Sequence, residues 1–102
     1  MITRLWCGWT PPENADAYES FLLTELFPSM RAIPGFRDAD VLRRTDGDEV
    51  AFVTLTRFDS LDAIRAFAGE DYETAVLEPT ALELVSRYEA KALHFETSSF
   101  AV

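Results

Sequence analysis

Phe36-Arg-Asp-Ala-Asp-Val-Leu-Arg-Arg-Thr45, then Asp46-Gly47-Asp48-Glu49, then Val50-Ala-Phe-Val-Thr-Leu-Thr-Arg-Phe58 is the stretch that decides the fold. Two strand-prone runs flank an Asp-Gly pair, which is a strong local signal for a β-hairpin. The second run alternates Val50/Phe52/Thr54/Thr56/Phe58 with Ala51/Val53/Leu55/Arg57. Both sets are apolar enough for a central strand. Upstream, residues 2–10 form a further strand of aromatic and β-branched residues, stopped at Pro11-Pro12. Its faces are Arg4, Trp6 and Gly8 against Thr3, Leu5, Cys7 and Trp9. Downstream, a final strand spans about Arg87 to Thr97.

Helices fill the two gaps. Thr10 or Asn14 is expected to cap the first, which runs to about Phe27 with Tyr18, Phe21, Leu22 and Leu26 on one stripe. Pro28 and Pro34-Gly35 punctuate its exit. Asp59-Ser60 caps a second helix from Leu61 to Ala68, which ends at Gly69 and buries Leu61, Ile64, Phe67 and Ala68. Glu70-Asp-Tyr-Glu73 opens a further helical turn or two that stops near Pro79, and Thr80 to Val85 can hold another short turn. The resulting order, β-α-β-β-α-β, is the ferredoxin-like one: an α+β chain with a four-stranded antiparallel sheet. Helices cover one sheet face. The other is expected to carry large apolar residues such as Trp6 or Phe52, and an apolar face of that size wants a partner. Face-to-face homodimerisation is the simplest solution.

The 102 residues make one domain, 1–102, with 48% hydrophobic residues and a formal net charge of −9. That acidity argues against nucleic acid, which needs a basic stripe, and against anionic lipid. No stretch approaches the length of a membrane span, and the N-terminus lacks a signal-peptide pattern, so a cytoplasmic protein is expected. One cysteine, Cys7, excludes an internal disulfide and multi-cysteine metal sites. One histidine, His94, excludes a His-rich site, and the four scattered glycines form no phosphate loop. No bound metal or cofactor is expected.

Arg4-Leu-Trp6-Cys-Gly8-Trp-Thr10-Pro-Pro-Glu13-Asn-Ala-Asp-Ala-Tyr18 resembles the opening of small antibiotic-biosynthesis monooxygenase-like proteins, a branch of the dimeric α+β barrel superfamily. Val41-Leu-Arg43-Arg44, Ser60-Leu-Asp-Ala-Ile-Arg65-Ala-Phe67-Ala-Gly69-Glu-Asp71 and His94-Phe-Glu96 extend the resemblance over nearly the whole chain. It implies a pocket inside each subunit, between sheet and helices. Enzymes of the family oxidise electron-rich polycyclic phenols with O2 and without metal or flavin. Other superfamily members degrade haem, isomerise lactones or cyclise polyketides, so the fold alone does not settle the function. The haem-degrading branch uses a tryptophan on the second helix and a histidine on a following one. This chain has Phe67 near the former and no histidine in 59–86, which speaks against haem. Close relatives often carry a polar or basic residue where Cys7 and Trp9 stand.

The candidate site residues follow from chemistry. His94 has the one side chain that titrates near neutrality, and is either a base for an acidic phenol or a structural histidine. Trp6 and Trp9 point to opposite faces, so at most one stacks a flat aromatic ligand. Arg4 either forms an ion pair across the dimer, the favoured reading, or binds a ligand oxyanion. Phe67 and Tyr72 are placed near the pocket, Tyr72 as a hydrogen-bond donor at its mouth. Cys7 is a nucleophile only if a neighbour such as His94 stabilises its thiolate. Arg65 reads as a solvated helix residue. Three readings stay open: a cofactor-independent oxygenase on an aromatic polyketide-like molecule, a non-oxidative isomerase or cyclase, and a non-catalytic ligand-binding or stress-related dimer.

Overall fold

A computed structural model describes all 102 residues. The elements are β1 (Ile2–Thr10), a 3₁₀ turn (Pro12–Asn14), α1 (Ala15–Phe21), a π-helical turn (Leu22–Leu26), α2 (Phe27–Met30), β2 (Phe36–Asp46), β3 (Glu49–Phe58), α3 (Leu61–Ala68), α4 (Pro79–Leu84), β4 (Arg87–Tyr88) and β5 (Leu93–Glu96). The sheet is antiparallel in the order β2-β3-β1-β4, and β5 also pairs with β1. This is the α+β, ferredoxin-like arrangement that the hairpin implied.

The hairpin closes as Asp46↔Glu49 around Gly47-Asp48. Gly47 has φ 63°, and no non-glycine residue has a positive φ. Positive then negative φ is the type II′ pattern, whose twist matches the flanking strands.

Sheet faces differ from the expectation in one respect. Arg4, Trp6 and Thr10 of β1, and Val50, Phe52, Thr54, Thr56 and Phe58 of β3, are buried. Trp6 and Phe52 therefore pack under the helices and not on the open face, because their strand parity matches that of the residues the helices cover. The open face carries Leu5, Cys7, Trp9, Ala51, Val53 and Leu55, with Leu42, Leu93 and Phe95 about half exposed. It is apolar as expected, through different residues.

Neither Thr10 nor Asn14 caps the first helix. Pro11 and Pro12 bring no N–H groups to satisfy, and a 3₁₀ turn closes instead through Asn14 N–H donating to the Pro11 carbonyl at 3.0 Å. The Asn14 amide donates to the Leu84 carbonyl, tying α1 to α4. Nor does the helix end before Pro28. The π-helical turn widens the ladder just ahead of the ring, which would otherwise clash with the preceding turn, and helix resumes to Met30. Ser60 caps α3 as expected, its Oγ accepting from Ala63 N–H at 3.2 Å. Asp59 instead pairs with Arg37.

The largest departure lies between α3 and α4. Residues 70–78 form no helix. Residues 70–73 bend and turn, Thr74 N–H donating to Asp71 O at 3.1 Å, and 74–78 continue as a strap, with Ala75 N–H donating to Ala90 O at 2.9 Å and Ala92 N–H to Glu73 O at 2.7 Å. Pro79 starts α4 rather than stopping a helix. The fourth strand is consequently split: β5 pairs with Ile2–Leu5, β4 with Gly8 and Trp9, and residues 90–92 leave β1 to hold the strap.

Gly8 is required by its neighbour. A Cβ there would stand 2.8 Å from Trp6 Cη2, so the indole lies along the strand over bare backbone. Gly8→Ala is expected to destabilise the fold by about 1–3 kcal/mol through overpacking, read as a lower denaturation midpoint with altered tryptophan emission.

Candidate functional site

Between sheet and helices lies a cavity of about 40 Å³. Its wall is mostly apolar: Phe21, Leu22, Leu26, Phe27, Met30 and Phe67 contribute from the helices, and Val76 and Leu77 from the strap. Phe21, Leu26 and Glu78 also border a surface hollow formed with Glu25, Ser29, Pro79 and Thr80, so these three residues partition the cavity from solvent.

Arg4 supplies the charge. It is 4% exposed and has no carboxylate partner. One Nη1 proton goes to the Tyr72 carbonyl, Nη1 also lies 3.0 Å from His94 Nε2, and Nη2 donates to the Thr74 carbonyl at 3.2 Å. Its Cζ lies 5.7 Å from the Phe67 ring centroid, a cation–π contact. Arg4 makes no ion pair within the chain, and β1 parity turns it inward, away from the open sheet face on which a dimer was expected. Burial lowers its pKa from 12.5 to about 10, which leaves it cationic at neutral pH. An inward cation held only by neutral groups is costly and remains able to take an anion.

His94 stands behind Arg4 and does not line the cavity. A guanidinium only donates, so Nε2 accepts and the imidazole proton sits on Nδ1. Burial first, then the Arg4 charge, lowers the His94 pKa, against an opposing effect of Glu73. Its ring meets Tyr72 edge-on at 5.1 Å. Tyr72 thus touches the cluster through its carbonyl and ring and also lies off the cavity wall. Arg65 is salt-bridged to Asp62 and lies over the Tyr72 ring.

Trp6 and Phe67 line the cavity, with the Trp6 indole N–H donating to Glu89 O at 2.7 Å. Trp9 lies on the opposite sheet face, where its N–H donates to Asp46 Oδ2 at 3.0 Å and Arg87 stacks on it at 3.8 Å. Cys7 shares that face while His94 is on the inner one, so the two do not meet. Burial and the nearby Glu89 raise its thiol pKa, which disfavours the thiolate.

Four polar-bearing residues of the cavity were not among the candidate site residues: Tyr18, Thr54, Thr56 and Glu78. The two threonines had a signal, since both interrupt the otherwise apolar Val50/Phe52/Phe58 face. The cavity wall thus holds one cation, three hydroxyl-bearing residues and one carboxylate among apolar side chains.

Residues 2–78 match the family described as antibiotic biosynthesis monooxygenase. The chain belongs to this family. Solved structures similar to it include Rv0793 from Mycobacterium tuberculosis, with 21% identity, 99% of this chain and 98% of that one covered, and a TM-score of 0.64. The heme-degrader MhuD from Mycobacterium tuberculosis, with two hemes in its active site, is 18% identical over 100% of both chains, with a TM-score of 0.62. The monooxygenase from the gene ActVA-Orf6 of Streptomyces coelicolor, in complex with nanaomycin D, is 16% identical over 99% and 90%, with a TM-score of 0.60. At these identities the likeness is one of fold. No curated protein matches at a comparable level of confidence in sequence. Within this monooxygenase family the chain has a cavity placed as the fold implies. No helix is long and apolar enough to cross a membrane.

His94, the single histidine, gives one clean proton NMR titration. It is expected to titrate below the ordinary 6.5, and Arg4→Met is expected to raise that value by removing the neighbouring charge. Because the folded pKa lies below the unfolded one, the unfolded chain binds the proton first on acidification. Stability is therefore fully present above the unfolded value and falls as pH drops from there toward the folded value, and Arg4→Met narrows that window.

Proposed function

We propose that the cavity binds an acidic, polycyclic aromatic phenol as its anion and that the protein is a cofactor-independent monooxygenase on aromatic polyketide-like molecules. The observation that carries this reading is Arg4: a buried guanidinium on the wall of an apolar cavity with no carboxylate partner. A phenolate would supply the missing anion. Placing the phenol beside a cation in a dry site lowers its pKa, and Glu78 at the partition is positioned to carry the proton outward.

The chemistry then belongs largely to substrate and O2. The phenolate passes one electron to O2, giving an aryloxyl radical and superoxide. These recombine at an activated ring C–H carbon to form a C–O bond. The peroxide takes a proton, and loss of water, with that carbon's hydrogen, leaves a quinone carbonyl. One oxygen atom of O2 enters the product and the other leaves as water. Arg4 holds the anion, Trp6 and Phe67 stack on its rings, and the apolar wall excludes water from the radical pair. His94 keeps Arg4 in place through Nε2, a positioning part, rather than meeting substrate.

A haem reading is not supported. No imidazole or thiolate lines the cavity, and burial raises the Tyr18 phenol above its ordinary value, which disfavours a phenolate ligand. A cavity of about 40 Å³ holds a few waters at most. Ring binding therefore needs the strap to move, and two of the strap's contacts, the Tyr72 and Thr74 carbonyls on Arg4, are ones that a substrate anion would replace.

We also propose a homodimer through the open sheet face, where Leu5, Val53, Leu55, Leu42, Leu93 and Phe95 form an apolar surface. Sedimentation at micromolar concentration is expected to show twice the 11.5 kDa mass; a species of 11.5 kDa alone contradicts it. For activity, oxygen uptake with 1,8-dihydroxyanthrone is expected to exceed the protein-free rate, and Arg4→Met to lose about 10²-fold or more. Uptake no faster than without protein overturns the oxygenase reading.

A further inference from the structure

Thr54 and Thr56 sit on the inner face of β3, 8% and 6% exposed, in a strand whose other inward residues are Val50, Phe52 and Phe58. Both line the cavity. Register puts Thr56 opposite Arg4 and Thr54 opposite Trp6, with Gly8 opposite Phe52 at the next rung. Tyr18 packs edge-on against Phe52, ring centroids 4.9 Å apart, and lines the same cavity. No protein group engages the Thr54, Thr56 or Tyr18 hydroxyls; unlike Thr10 Oγ1, which is wholly enclosed and unpartnered, these three are not sealed off and border the cavity.

A hydroxyl that borders an apolar cavity and has no protein partner is free to meet a ligand polar group there, which valine, of nearly the same shape, could not do. Two such residues in alternation form a row of polar groups in an apolar wall. Successive inward residues of a strand stand about 7 Å apart. The Arg4–Thr56 rung and the Thr54 rung thus address two oxygens on opposite edges of one fused ring, not one oxygen twice.

We propose that this hydroxyl row is a second polar subsite that selects ligands with oxygens on both edges of a ring, a hydroquinone-type or keto-phenol pattern. One oxygen binds as the anion at Arg4 and Thr56. The other, neutral, accepts from Thr54 and Tyr18. Tyr18 suits a neutral donor, since burial raises its pKa and keeps it protonated. This assignment rests on the proposed phenol-binding function and deepens it by naming the substrate pattern.

The test measures anaerobic binding of 1,4-dihydroxynaphthalene and of 1-naphthol by quenching of tryptophan fluorescence. Wild type is expected to bind the diol about three- to tenfold more tightly, the worth of one neutral hydrogen bond. Thr54→Val and Tyr18→Phe are each expected to lower that ratio, and Thr54→Ser to keep it. Thermal melting checks that each variant is folded, and Tyr18→Phe, which keeps the ring, carries the test if Thr54→Val is not. Equal affinity for both probes in wild type, or a ratio unchanged in Thr54→Val and Tyr18→Phe, overturns the subsite alone. Binding of neither probe by wild type overturns the phenol-binding function and the subsite with it.

Discussion

One buried guanidinium organises this molecule. Arg4 points inward because strand alternation gives it the same parity as Trp6 and Thr10, and it finds no carboxylate there. It takes what the chain can offer: the Tyr72 and Thr74 carbonyls and the His94 imidazole. The chain between α3 and α4 turns at 71–74 and continues as a strap whose Tyr72 and Thr74 carbonyls meet Arg4. Residues 90–92 leave β1 to pair with that strap, and the last strand is in two pieces. Arg4 thus ties β1, the strap and β5 together.

The same cation is poorly satisfied, and that is its use. Neutral acceptors reduce the cost of burying a charge without cancelling it. On the proposed function, a ligand anion would satisfy Arg4 better than two carbonyls do. The cavity has a volume fit for water, and its strap wall, between α3 and α4, is tied to residues 90–92 as well as to Arg4. The stability that a well-paired core residue would give is set aside at the place where a ligand is to bind.

Much of the regular fold was legible. The Asp-Gly hairpin, the strand parities and the Ser60 cap depend on local patterns, and the structure keeps them. Other features were not legible, because they depend on contacts distant in sequence. Glu70 to Glu73 has a helical start, yet the chain there turns and meets Arg4, 68 residues away. Pro28 read as a helix end because a π-helical turn has no sequence signature. Trp6 and Phe52 were assigned to the open face because alternation gives two sets of residues and no sign of which set is inward. In the site, Arg4, Trp6 and Phe67 could be named from chemistry alone. Thr54 and Thr56 could not, since a threonine in a strand is ordinary until its face is known to be buried.

The central claim is that Arg4 holds an organic anion inside the cavity. Its most direct measure is the pKa of 1-naphthol bound to the protein, read from its absorption spectrum in the absence of oxygen. The account predicts a value about one unit or more below that in water, and loss of the shift in Arg4→Met. A bound naphthol that titrates at or above its value in water, or one that shifts equally in Arg4→Met, would contradict it.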